Sequence, residues 1–163
     1  MSQQIVIDSL AFAREKGSLQ GELQVASLGR VLDALADSAG SLAYRVEGRK
    51  SARDRAQLLL QVSGVLLLQC QRCLDGIEFK VEINSLLELV EDENDLTQEE
   101  LEDDSRDFLP ARKEFDVVAL IEDEVILALP SAPRHESCAT PEAGRGEAKP
   151  SPFAALAGLK GKA

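Results

Sequence analysis

The chain has 163 residues, a length that one domain with tails accounts for. Hydrophobic residues make up 44% of it but aromatic residues only 4%, with no Trp, so Leu, Val and Ala must fill the core. A formal net charge of −11 argues against a broadly cationic nucleic-acid or membrane binder and makes basic proteins the natural electrostatic partners.

No run approaches the ~20 apolar residues of a membrane span. The opening "MSQQIVIDSLAFAREKG" lacks the basic-then-apolar pattern of a secretory leader. Three cysteines with no even pairing fit a reducing compartment better than a disulfide scaffold. The expectation is a cytoplasmic protein with no membrane contact and no small-molecule substrate.

In chain order, "QIVI" reads as a short strand, and "DSLAFAREKG" as a short helix capped by Asp8 and stopped at Gly17. "SLQGELQV" alternates as a strand does. "SLGRVLDALADSAG" places Leu28, Val31, Leu32 and Leu35 on one helical face, with Ser27 as cap and Gly40 at the end. "SLAYRVEG" alternates again, and "AQLLLQVSGVLLLQC" reads as one long strand bent or bulged at Ser63-Gly64. After Asp75-Gly76, "IEFKVEINSLLELV" puts Ile77, Phe79, Val81 and Ile83 inside, which makes a hairpin with cysteines at its tip. Residues 91–107 hold ten acidic residues and one basic one and read as a solvated, mobile loop able to aid docking of a basic partner. "EFDVVALIEDEVILALP" reads as a helix ended by Pro130, with Val118, Ile121, Val125 and Leu129 on its inner face.

These elements sum to an α+β fold: an antiparallel β core, with a partly closed barrel as one arrangement, and helices near 27–38 and 116–129 packed against it. Residues 1–138 are expected to form a single domain. Residues 139–163 are expected to form a flexible tail with a short apolar segment from Pro152 to Leu159.

Cys70 and Cys73 stand three apart, as do the sole histidine, His135, and the third cysteine, Cys138. Three readings share this pattern. A redox pair needs its first Cys at a helix N-terminus, and here the pair lies between strands. A tetrahedral zinc site takes two short-range pairs from separate loops, and the four residues use all the thiol and imidazole in the chain. Ordinary reduced thiols are the third reading. A zinc knuckle commonly has Gly after its second Cys, where this chain has Leu74.

With one His, no Ser-His-Asp set can be assembled, and neither a glycine-rich phosphate loop nor a dinucleotide fingerprint is present. The carboxylates fall in runs and not as an isolated pair, so no enzyme is expected. Arg45, Arg49, Lys50, Arg53 and Arg55 form a basic stretch between two strands, the one candidate for direct RNA contact. Glu122, Asp123 and Glu124 interrupt the apolar helix. A buried acid triplet is costly unless paired, so at least some of these carboxylates should be exposed or meet basic groups. With Phe153 and Leu156 of the tail, they are the candidate partner-binding residues.

The stretches "LQCQRCLDGIEF", "EFDVVALIEDEVILALPSAPRHESC" and "KPSPFAALAGLK", in this order, resemble the YceD family of large ribosomal RNA subunit accumulation proteins. The resemblance implies a role in the accumulation of 23S ribosomal RNA and in assembly of the 50S particle. The expected partner is then a basic ribosomal protein of the large subunit, held on the acidic face. Precursor ribosomal RNA contacted through residues 45–55 is the alternative.

Overall fold

The computed structural model describes residues 4–140 and Phe153. Its elements run β1 (Val6–Ile7), α1 (Ser9–Arg14), β2 (Ser18–Gln24), β3 (Leu35–Asp37), β4 (Ser41–Lys50), β5 (Ala56–Gln69), β6 (Gly76–Val90), α2 (Gln98–Leu101), β7 (Asp107–Pro110), β8 (Phe115–Asp116) and α3 (Val117–Ala128). The fold is α+β and mostly strand. The main sheet has the order β2-β4-β5-β6-β7, with β3 added beside β5, and among the described residues no pairing closes it into a barrel.

The long hairpin of β5 and β6 is its spine. Their register is unbroken from Gln57↔Glu88 to Gln69↔Gly76, and β4 pairs with β5 without a shift from Lys50↔Ala56 to Leu42↔Gly64. The expected bulge at Ser63-Gly64 is therefore absent. The glycine serves a close approach instead: a Cβ there would stand 2.5 Å from the Leu42 side chain and 3.0 Å from the Ser41 carbonyl oxygen. Leu58, Leu60, Val62, Leu66 and Leu68 of β5 and Val81, Leu87 and Leu89 of β6 are buried at two-residue spacing, which gives the sheet one apolar face.

Two helices cover that face. Asp8 caps α1, accepting from the Ala11 amide at 3.0 Å, and α1 sits so close to β4 that a Cβ on Gly48 would meet the Phe12 carbonyl oxygen at 2.3 Å. Asp116 caps α3 by accepting from the Val118 and Ala119 amides, and Val117, Leu120, Ile121 and Val125 face the core. β1 pairs with β8 directly before α3, and the Val117 amide donates to the Ile5 carbonyl at 2.9 Å.

The helix expected near 27–38 does not form. The amides of Leu28, Val31 and Ala34 each donate to the carbonyl three residues back, at 3.0 Å, in a staircase of 3₁₀ turns. Val25, Leu28 and Val31, spaced by three, are fully buried by it. The Ser27 hydroxyl donates back to the Gln24 carbonyl and caps nothing. Residues 35–37 then become β3. β4 covers β5 only as far as Gly64, and β3 satisfies the backbone edge near Leu67 and Leu68 that would otherwise be bare.

The core is also not wholly antiparallel, because β7 pairs with β6 in parallel, Leu87↔Asp107 to Val90↔Pro110. The acidic connection between them carries a 3₁₀ turn at Glu93–Asp95 and α2, which Thr97 and Glu100 start with a capping box. Glu100 points inward and is buried, as is Glu88. Arg106 grips Glu88 with two bonds of 2.6 and 3.1 Å and reaches Glu100 at 3.2 Å, where Arg55 also arrives at 3.2 Å. The Phe108 ring lies 5.6 Å from the Arg55 guanidinium and 5.0 Å from that of Arg106.

This network has a pH signature. The Thr97 amide, and then Arg55 and Arg106, hold the Glu100 carboxyl below its ordinary 4.5, with burial opposing them. The folded chain thus binds fewer protons here than the unfolded chain does. The contribution is complete above pH 4.5 and is lost as pH falls through the lower folded value. In urea unfolding between pH 7 and pH 3, Glu100→Gln is expected to flatten the acid limb relative to the parent. Other shifted carboxyls, including Asp103 and Glu47, keep part of the slope. Parallel curves for the two chains would refute this.

Candidate metal centre

The β5–β6 hairpin turns over Cys70–Asp75. The Cys70 amide donates to the Asp75 carbonyl at 2.8 Å, and the Leu74 amide donates to the Cys70 carbonyl at 3.0 Å. Leu74 takes φ +67, the left-handed conformation a glycine would hold at less cost, and its side chain is exposed. The turn thus forms without the glycine that commonly follows the second Cys of a zinc knuckle. Beyond α3, the chain returns to this tip, where the Gln71 amide donates to the Pro133 carbonyl at 2.8 Å.

That return brings the two ligand pairs together. The ligand atoms of Cys70, Cys73, His135 and Cys138 all lie within 4.8 Å of one another. Cys70 and Cys138 hold their sulfurs 3.8 Å apart, and Cys73 Sγ is 3.3 Å from His135 Nδ1. Two thiolates on a tetrahedral ion at about 2.3 Å stand about 3.8 Å apart, whereas a disulfide needs about 2.05 Å. The four residues can hold a metal ion.

His135 is oriented for it. Its Nε2 is 3.1 Å from the Gly76 carbonyl oxygen, which can only accept, so in the neutral ring the proton sits on Nε2. The Nδ1 lone pair is then directed at the sulfurs, the arrangement by which an outer hydrogen bond fixes a metal-ligating imidazole. Amides shape the sulfurs as well. The Cys73 amide, opposed by burial and helped by those of Arg72 and His135, lowers the Cys70 thiol to about 5. For Cys73 the Asp75 amide pulls down, but burial and the Cys70 and Cys138 sulfurs outweigh it and raise the thiol to about 11. A crowded sulfur set of this kind resists further ionisation unless a cation shares the charge.

A family model described as "Large ribosomal RNA subunit accumulation protein YceD" matches residues 58–160. The chain belongs to the YceD family. All four candidate ligands of this YceD chain fall inside the matched span, and the basic stretch 45–55 precedes it. No solved structure matches the chain.

The other described candidate residues have partners of their own. Arg30 donates to Glu122 twice, from its amide at 3.1 Å and from Nε at 3.0 Å, and to Asp123 at 2.7 Å. The Ser85 hydroxyl donates to Glu124. The acid triplet meets one arginine and one hydroxyl within the chain, in keeping with the need for partners near a core. Phe153 is exposed, and Leu156 lies outside the described residues. In the basic stretch, Arg45 and Arg49 pair with Glu47, Lys50 with Asp54, and Arg53 and Arg55 with Glu100. In these pairs the five cations share three acids, Glu47, Asp54 and Glu100.

Arg30 is the residue that sequence reasoning missed, since nothing in spacing connects it to an acid ninety-two positions later. Glu88 did carry a signal: it is a lone acid inside the run "LLELV".

Proposed function

We propose that this chain is a non-enzymatic cytoplasmic factor for 23S ribosomal RNA accumulation and 50S assembly. In this reading it acts by holding a basic large-subunit ribosomal protein and is fastened by a structural zinc ion. The family match carries the ribosomal part. The convergence of three thiols and one imidazole at tetrahedral spacing supports zinc, since soft and borderline donors in a closed set of four suit a structural zinc and leave no open position for substrate. Charge supports a protein partner over RNA. The net charge is −11, and in the 91–107 strap Glu91, Asp92, Asp95, Glu99, Glu102, Asp104 and Asp107 are exposed while Glu100 turns in. The five basic residues of 45–55 already face acids. Among the described residues no helix is long and apolar enough to cross a membrane.

A tagged chain recovered from cell extract with and without nuclease tests the partner. A basic large-subunit ribosomal protein retained after nuclease is the expected result. Recovery of ribosomal proteins only while RNA is intact would favour direct RNA binding. Elemental analysis of chain purified without chelator should find about one zinc per molecule.

A further inference from the structure

We propose that the metal centre is an oxidant-sensitive clasp that exchanges its zinc for a disulfide: a hydroperoxide joins Cys138 and Cys70 and expels the ion. This rests on the zinc reading above and concerns how that same site is regulated. Three observations support it. The two sulfurs stand 3.8 Å apart, although their residues are 68 positions apart in the chain. Cys70 is fully buried while Cys138, like Cys73, is partly exposed, so of the two sulfurs in this pair a dissolved oxidant meets Cys138 first. Outside the ligands, the segment 131–138 is tied to the tip by few bonds: the Gln71 amide to Pro133, His135 to Gly76, and a long contact of 3.5 Å from Arg72 to the Cys138 carbonyl. It can therefore shift by the remaining distance, under about 2 Å, to reach disulfide length.

The chemistry balances in two steps. The Cys138 thiolate attacks one oxygen of hydrogen peroxide, the O–O bond breaks, hydroxide leaves and Cys138 becomes a sulfenic acid. The Cys70 thiolate then attacks that sulfur, the S–S bond forms, the S–O bond breaks and a second hydroxide leaves. Two thiolates have given two electrons to one peroxide, yielding one disulfide and two hydroxides. Cys73 and His135 remain as two ligands where a closed zinc site needs four, so the ion departs. The disulfide joins the same two segments the ion had joined. The clasp stays shut covalently, while the charge and the ligand geometry at the hairpin tip change.

The test uses the full chain. Its zinc content is measured first. Hydrogen peroxide is then added in excess, and released zinc is followed with a chromogenic chelator while free thiols are blocked and peptides mapped by mass spectrometry. The expected result is release of about one zinc per chain together with a Cys70–Cys138 peptide, both reversed by a dithiol reductant plus zinc. Absence of zinc before oxidant is added overturns the zinc reading and the clasp with it. Zinc present at the start but retained under peroxide, or released with a Cys70–Cys73 bridge in place of Cys70–Cys138, overturns the clasp alone.

Discussion

Replacing Cys70 by serine is expected to strip the metal from the chain and free residues 131–138 while the sheet stays folded. A serine hydroxyl is a poor zinc ligand, and changes to the outer partners of ligands alone cost about 10–100-fold in metal affinity. Loss of a ligand itself should cost more than about 100-fold on that scale. The hairpin should survive, because the Cys70 amide bond to Asp75 does not involve the sulfur and the β5–β6 register runs on unbroken from Gln69↔Gly76. The segment 131–138 should not, because without the metal it keeps only a few hydrogen bonds, each worth about 1 kcal/mol net. Amide hydrogen exchange should therefore quicken in 131–138 and at the tip and change little in the centre of β5 and β6. Cys138→Ser gives the discriminating comparison. If the cysteines were ordinary reduced thiols, the buried Cys70 would matter for packing and the half-exposed Cys138 hardly at all. A shared ion makes the two variants alike in zinc content and in exchange of the same segment. Full zinc in either variant, or a Cys138→Ser chain that exchanges like the parent, would remove the metal from the centre.

Legibility followed the kind of physics involved. Alternation over "IEFKVEIN", the cap at Asp8 and the apolar spacing of Val118, Ile121 and Val125 act between neighbours in sequence, and β6, α1 and α3 appear where these signals put them. The stretch from Ser27 to Ser38 misled because apolar residues spaced three and four apart suit either an α-helix or a staircase of 3₁₀ turns. What chose between them was a distant fact, the open edge of β5 beyond Gly64 that β3 fills. The parallel strand β7, four residues ending in Pro110, carries no periodicity long enough to read. At the centre, residue type marked four candidate ligands, but only the fold brings His135 and Cys138 to the hairpin tip. The fixed imidazole depends on a backbone carbonyl, that of Gly76, which no sequence motif displays.

Arg30→Ala is expected to cost about 2 kcal/mol of stability, and its effect on partner binding separates two roles of the acid triplet. Glu122 is buried against Arg30, whose guanidinium also reaches Asp123 and, at 2.9 Å, the Ala119 carbonyl. Truncating the arginine leaves the Glu122 side chain, only 12% exposed, with the Arg30 amide alone. Leaving one partner of a buried pair alone can cost 3–5 kcal/mol, but Arg30 itself is 49% exposed, so water screens the pair and the lower figure applies. The melting temperature should fall by about 4–8 °C. Arg30→Ala combined with Glu122→Gln should recover part of that loss, because no ionised carboxylate is then stranded. An Arg30→Ala chain as stable as the parent would show that the pair does nothing for the fold. Binding is read on the same variant. If Glu122 and Asp123 form the surface that holds a basic ribosomal protein, freeing them from Arg30 should tighten that complex and steepen its dependence on salt. If they serve to pin the 3₁₀ staircase to α3, stability falls while affinity and salt dependence stay as they were, and the exposed carboxylates of the 91–107 strap are left as the acidic surface for the partner.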